Sequence, residues 1–145
     1  MRRVLFLCVH NSARSQMAEG LLRAWGGAAF LVESTGVVAT EVRPLAIRVM
    51  AELGIDIAGH RSKAVTEFTG QAFDDAVTVC EEAAEACPYF GNARRQLHWS
   101  FRDPSAATGT LDDQLAVYRQ VRDEIAARIR AEHLDRKSTR LNSSH

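Results

Sequence analysis

The chain predicts an α/β domain: a three-layer sandwich in which a four-stranded parallel sheet carries helices on both faces. Three observations lead there. Short apolar runs alternate with helix-periodic stretches along 145 residues, the pattern of parallel strands joined by right-handed crossovers. The first run, Val4–Val9, is apolar throughout, as strands buried on both faces are. Finally Cys8, Cys80 and Asp103, three residues able to do chemistry, each follow a predicted strand. In such sheets ligands bind beyond the carboxyl ends of the strands, so these three should meet at one rim.

After the strand Val4–Val9, a helix is expected from Ser12–Ser15, with Met17, Ala18, Leu21, Leu22 and Trp25 on one face and Gly26-Gly27 as its stop. A second strand is expected over Phe30–Ser34, ending at Thr35-Gly36. The next helix opens at Arg43-Pro44, where Pro suits the first turn, and runs through Ile47, Met50 and Leu53 to Gly54. Gly54–Ser62 reads as a loop and Thr66–Phe68 as a short helical piece. The third strand is expected over Asp75–Val79. A helical or loose segment, Glu81–Cys87, follows and is broken by Pro88 and Gly91. The fourth strand is expected over Gln96–Trp99. The last helix runs from Leu111 to His133, with Thr110 and Asp113 as a capping pair and Leu115, Tyr118, Val121, Ile125 and Ile129 as its apolar stripe. Residues 1–134 therefore form one domain. The polar, aperiodic Asp135–His145 reads as a disordered tail with the look of a non-native cloning scar.

Composition narrows the function. A hydrophobic content of 46% with 25% charged residues is that of a globular domain. Formal net charge is zero, so no bulk field recruits nucleic acid or an anionic membrane. No apolar run approaches the roughly 18 residues of a membrane span, and no signal-peptide pattern is present. A soluble, cytoplasmic monomer is expected. Three cysteines are an odd number for a disulfide framework and direct attention to catalytic or redox use.

The stretch Cys8-Val9-His10-Asn11-Ser12-Ala13-Arg14-Ser15 lies between the first strand and the first helix. A helix N-terminus presents unpaired N–H groups and a partial positive charge, a ready site for a tetrahedral oxyanion. The same field, with Arg14 close by, favours the Cys8 thiolate. Val9–Ser15 would thus cradle the anion, Arg14 would clamp it with two parallel hydrogen bonds, and Ser15 would hydrogen-bond the sulfur. Asn11 suits a left-handed turn residue. His10 could serve as a base, but an ionised cysteine needs none. Asp103-Pro104 offers a carboxyl group on a rigid turn that could protonate a leaving oxygen. Cys80 and Cys87 lie too far apart in sequence for a zinc knuckle. On a continuous helix their Cα atoms would sit about 10.5 Å apart, whereas a disulfide needs about 7 Å or less. Pairing them requires the segment between to loosen, which fits a redox relay better than a staple.

Taken together, the Cys8–Ser15 loop, the Cys80/Cys87 pair and Asp103-Pro104 resemble the thioredoxin-coupled arsenate reductases, which have the low-molecular-weight tyrosine phosphatase fold. Ser15-Gln16-Met17-Ala18-Glu19-Gly20 and His98-Trp99 also read like that family, and the resemblance spans about Val4–Arg130. It implies that Cys8 attacks arsenate while Asp103 protonates the departing oxygen. Cys80 then attacks Cys8 and arsenite leaves. Cys87 attacks Cys80, and thioredoxin reduces the resulting Cys80–Cys87 disulfide. Phosphate and sulfate would compete with arsenate, and no bound cofactor is implied. Some members hold potassium through residues matching Asn11, Glu19 and Ser34 plus an acidic residue after Ser62; here Lys63 stands near that position, so potassium is not expected. Glu81–Ala86 also departs from the glycine- and aspartate-containing segment of the family. Two other readings remain open. One is a low-molecular-weight tyrosine phosphatase using Cys8, Arg14 and Asp103, although Ser105 follows Asp103-Pro104 where those enzymes place an aromatic residue. The other is a non-catalytic oxyanion receptor. For the reductase, glutaredoxin or mycothiol are alternative donors.

Overall fold

The structure is a computed structural model and describes residues 1–81 and 85–135. The expectation of a disordered tail lies outside the described residues except at Asp135, whose N–H still donates to the Arg130 carbonyl (2.7 Å). Residues 82–84 of the predicted Glu81–Cys87 segment also lie outside them.

Four strands, β1 (Arg2–Cys8), β2 (Phe30–Gly36), β3 (Phe73–Thr78) and β4 (Ala93–His98), pair in parallel in the order β2-β1-β3-β4. Among the described residues three α-helices, α1 (Arg14–Gly26), α2 (Pro44–Ala51) and α3 (Leu111–Ile129), share one apolar layer. β1 shows why its run is apolar throughout. Val4, Phe6 and Cys8 face the cluster built from Met17, Leu21, Val49 and Ile125, whereas Leu5 and Leu7 face Phe68, Phe73 and Phe90. The second face is covered by the 3-10 helix Val65–Phe68 and the chain around Phe90. Both faces of the sheet therefore carry helical cover, of unequal depth.

Element boundaries shift where polar residues mask a strand. β1 begins at Arg2, two residues before the apolar run, because Arg2 and Arg3 pair with Phe30 and Leu31. β4 begins at Ala93 and spans exposed Arg94, Arg95 and Gln96. It is an edge strand with little to bury, so hydrophobicity does not announce it. α2 stops at Ala51, and the chain turns at Gly54 with φ 75°. α3 ends at Ile129 and continues as a wider π turn through Leu134. Its capping box forms as expected: Asp113 N–H donates to Thr110 Oγ1 and Thr110 N–H to the Asp113 carboxylate.

The strand order sets the place of the site. From β1 the chain crosses to β2 on one side; from β3 it crosses to β4 on the other. Connections that leave two adjacent strands in opposite directions open a crevice beyond their carboxyl ends. That crevice lies between β1, which ends on Cys8, and β3, which leads through Val79 to Cys80.

Candidate active site

Leu7 pairs with Thr78, and Val79 N–H donates to the Leu7 carbonyl (2.9 Å). Cys8 and Cys80 therefore emerge from neighbouring strands at the same rim. Cys8 is buried and its Sγ lies 2.8 Å from Ser15 Oγ. The loop after it turns through Asn11, which adopts φ 50°. Asn is among the few residues that take this left-handed conformation cheaply. Its buried amide then ties the loop together: Nδ2–H donates to Ser15 Oγ (2.8 Å) and Ser34 Oγ (3.0 Å), while Oδ1 accepts from Lys63 N–H (2.8 Å) and Gln16 Nε2–H (2.9 Å). Ala13 caps α1 without a side-chain hydrogen bond, so the first-turn amides find no partner within the helix. His10 has an exposed side chain; its carbonyl accepts from Thr40 and Ser62 hydroxyls.

Arg14 is 3% exposed and stands at the centre of the rim. Its Nη1–H donates to the Phe101 carbonyl (3.1 Å), and its Nη2 lies 3.8 Å from Asp103 Oδ2. Both forks also reach Glu85: Nη1 to Oε2 and Nη2 to Oε1, each 2.6 Å. Burial alone would lower the Arg14 pKa, but the Glu85 hydrogen bond and the charges of Cys8 and Asp103 raise it, so the guanidinium stays charged. Asp103 is anchored through Oδ1, which accepts from Ser105 N–H (3.0 Å) and Ser105 Oγ–H (2.7 Å). That leaves Oδ2 turned toward Arg14. Ser105, which stands where the tyrosine phosphatases place an aromatic residue, orients the Asp103 carboxylate here.

Cys80 and Cys87 form a disulfide with Cα atoms 6.0 Å apart. A continuous helix would hold them about 10.5 Å apart, so the two cysteines do not lie on one, as pairing requires. Cys80 is fully buried and Cys87 half-buried; Cys8 is the free cysteine. The sequence-predicted residues Cys8, Arg14, Asp103, Cys80 and Cys87 thus come together at one end of the sheet.

A family described as low molecular weight phosphotyrosine protein phosphatase matches residues 3–140. The chain belongs to that family. Within it, an arsenate reductase of Halalkalibacterium halodurans is 42% identical over 127 residues, 88% of this chain and 91% of its own length. An arsenate reductase solved in its phosphate binding state is 32% identical with a TM-score of 0.78, covering 90% of this chain and 95% of its own. A thioredoxin-dependent arsenate reductase of Corynebacterium glutamicum is 29% identical with a TM-score of 0.69, covering 98% of this chain and 63% of that one.

The potassium ligands found in some family members do not fit this chain. Glu19 Oε1 accepts the Ser34 hydroxyl, and Asn11 turns its N–H donors, not its oxygen, toward Ser34 and Ser15. Lys63 Nζ lies 3.6 Å from Glu19 Oε1 and 3.8 Å from Glu33 Oε1, and donates to the Arg61 carbonyl (3.2 Å). The Lys63 ammonium thus brings a positive charge beside Glu19, and the Asn11 and Ser34 side chains are engaged with each other and with Glu19. No group of three His, Cys, Asp or Glu side chains suited to a metal occurs among the described residues.

Two residues of the site carry little sequence signal. Glu85 sits in a segment of ordinary helix-forming composition. Gly36 ends β2, and a Cβ there would stand 2.7 Å from Asn11 N, 2.7 Å from Val9 O and 3.0 Å from Cys8 O. Only glycine lets the strand end lie against the loop. Gly36→Ala should therefore displace the loop backbone, costing about 1–3 kcal/mol by urea unfolding and at least about tenfold in the kcat/KM of a reaction that depends on the loop. Unchanged kinetics would show that the loop tolerates the shift.

Proposed function

We propose that this protein reduces arsenate to arsenite through a relay of three thiols, with Cys8 as the first nucleophile. The observation that carries the proposal is the Cys80–Cys87 disulfide, which joins two cysteines at the rim where Cys8 emerges. Val9–Ser15 and the first-turn amides of α1 hold the oxyanion, with Arg14 gripping two of its oxygens. The Cys8 thiolate adds to arsenic while Asp103 donates a proton to the departing oxygen, which leaves as water. Cys80 then attacks the Cys8 sulfur. The sulfur–arsenic bond breaks, its electron pair stays on arsenic, and arsenite leaves behind a Cys8–Cys80 disulfide. Cys87 attacks Cys80 and frees Cys8, forming Cys80–Cys87. A dithiol such as thioredoxin takes that oxidising equivalent in two thiol–disulfide exchanges.

Kinship with arsenate reductases supports the substrate, and the thioredoxin-dependent relative supports the donor. Phosphate and sulfate are expected competitors because they offer the same tetrahedral oxygens. Such a cycle suits the cytoplasm, where reduced dithiols are maintained, and asks nothing of a second subunit. Among the described residues no helix is long and apolar enough to cross a membrane.

Arsenite release with thioredoxin, thioredoxin reductase and NADPH tests the proposal. Wild type should turn over repeatedly, while Cys87→Ser should stall after about one cycle because the Cys8–Cys80 bond has no resolving thiol. No arsenite from wild type, or sustained turnover by Cys87→Ser, would refute the relay. Activity with glutathione and glutaredoxin alone would reassign the donor.

A further inference from the structure

The Arg14 fork that should grip an oxyanion is already taken by a carboxylate from the redox segment. Glu85 places Oε1 and Oε2 each 2.6 Å from the two terminal nitrogens of Arg14, the side-on geometry by which a guanidinium takes two oxygens of a phosphate-like anion. The carboxylate is fixed from its own side as well. Oε2 accepts the Glu81 N–H (2.7 Å), and Glu85 N–H donates to the Glu81 carbonyl (2.9 Å). Glu81 in turn accepts the Asp103 N–H (3.2 Å). Glu85 is 17% exposed and Arg14 4%, counted over side chains, so the pair is largely removed from water. Hydrogen bonding from Arg14 keeps Glu85 ionised.

Glu85 lies inside the ring that the disulfide closes, two residues before Cys87. The disulfide holds the Cys80 and Cys87 Cα atoms 6.0 Å apart, and with it in place Glu85 meets Arg14. We propose that Glu85 is a redox-dependent plug. While Cys80–Cys87 is oxidised, its carboxylate occupies the anion site and keeps oxyanions out. Reduction by a dithiol transfers two electrons and two protons, leaving two thiols here and a disulfide on the donor. With the Cys80–Cys87 bond broken, Glu85 loses the covalent tether that holds it at Arg14, and the fork passes to the incoming oxyanion. A spent molecule thus binds its reductant before it binds another oxyanion. This inference deepens the relay reading and rests on its assignment of Arg14 to the anion.

Inorganic phosphate, which is bound but not reduced, is the probe. By titration calorimetry, wild type with Cys80–Cys87 oxidised and Cys8 free should bind phosphate about ten- to hundredfold more weakly than the reduced protein, the range expected for a charge-assisted bidentate pair. Coupling is reciprocal. Saturating phosphate should therefore raise the midpoint potential of the pair by about 30 mV per tenfold difference. In Glu85→Gln the oxidised and reduced forms should agree within about threefold, and the potential shift should fall below about 15 mV accordingly. Equal phosphate affinity in the two redox states of wild type would overturn the plug, as would a full difference retained in Glu85→Gln. Failure of reduced wild type to bind phosphate would sink the anion site itself, and the plug with it. Neither measurement depends on arsenite being formed, so the plug and the relay can fail separately.

Discussion

Asp75→Asn should lower the unfolding free energy by about 3 kcal/mol at pH 7, near the lower end of the range for breaking a buried charge cluster. Asp75 is fully buried at the start of β3, at the end of the sheet away from Cys8. Its carboxylate accepts two hydrogen bonds from Arg2 (2.9 and 3.1 Å), two from Arg95 (2.9 and 3.1 Å) and one from His133 Nε2 (2.8 Å). Those partners come from β1, β4 and the turn after α3, so one side chain ties three elements to the central strand. Asparagine would set an N–H₂ against a donor and leave buried His133 facing a weaker acceptor. The loss is not larger because Arg2 and Arg95 are 34% and 45% exposed and can regain water.

The same group sets the acid limb of stability. Burial alone would push the Asp75 carboxyl up, but the hydrogen bonds from His133, Arg95 and Arg2 outweigh it and hold the group far below the usual carboxylate range. A carboxyl depressed in the folded state contributes its full stabilisation above its unfolded pKa and loses it as pH falls. Below about pH 4 wild type should therefore lose up to about 1.4 kcal/mol per pH unit from this group, and Asp75→Asn should not. Urea unfolding at pH 7 and pH 3 would show the two proteins converging in acid. A gap of the same size at both pH values would mean that packing, not charge, carries the effect.

This anchor was invisible to sequence reasoning. In the sequence Asp75 is only the first residue of an expected strand, Arg95 lies outside any expected element, and His133 merely closes a helix. Their partnership spans 131 residues from Arg2 to His133 and depends on which strands are neighbours, which no local pattern reveals. The chemistry at the other rim was far more legible. A loop between strand and helix announces an anion site because the backbone itself supplies the donors, and a cysteine pair with a breakable segment announces redox movement through its spacing. Asn11 could be assigned its left-handed turn from side-chain type alone. Glu85 and Gly36 could not be found in the same way. Each acts through a contact made only when distant segments close: Glu85 on Arg14 across 71 residues, and Gly36 against the loop after β1.

Cys80→Ser should abolish thioredoxin-driven arsenite release, a loss of at least about 10³-fold, while hydrolysis of an aryl phosphate should persist within a few-fold of wild type. Phosphoryl transfer needs only a thiolate, an oxyanion clamp and an acid, and in the proposed roles Cys8, Arg14 and Asp103 would supply all three without Cys80. Reduction needs a second thiolate to take the Cys8 sulfur off arsenic, and a serine hydroxyl is protonated at neutral pH and cannot do so. Serine nearly matches cysteine in volume. Burying its hydroxyl at a position with 0% exposure should cost about 1–3 kcal/mol, which thermal unfolding would report separately from kinetics. Cys8→Ser, by contrast, should remove both activities. Cys80→Ser also cannot close the ring, so its phosphate affinity should match that of reduced wild type whatever the redox conditions. Sustained arsenite release by Cys80→Ser would eliminate the three-thiol relay. Loss of aryl phosphate hydrolysis along with it, in a variant that still unfolds cooperatively, would show that Cys80 shapes the Cys8 loop and does not merely receive its sulfur.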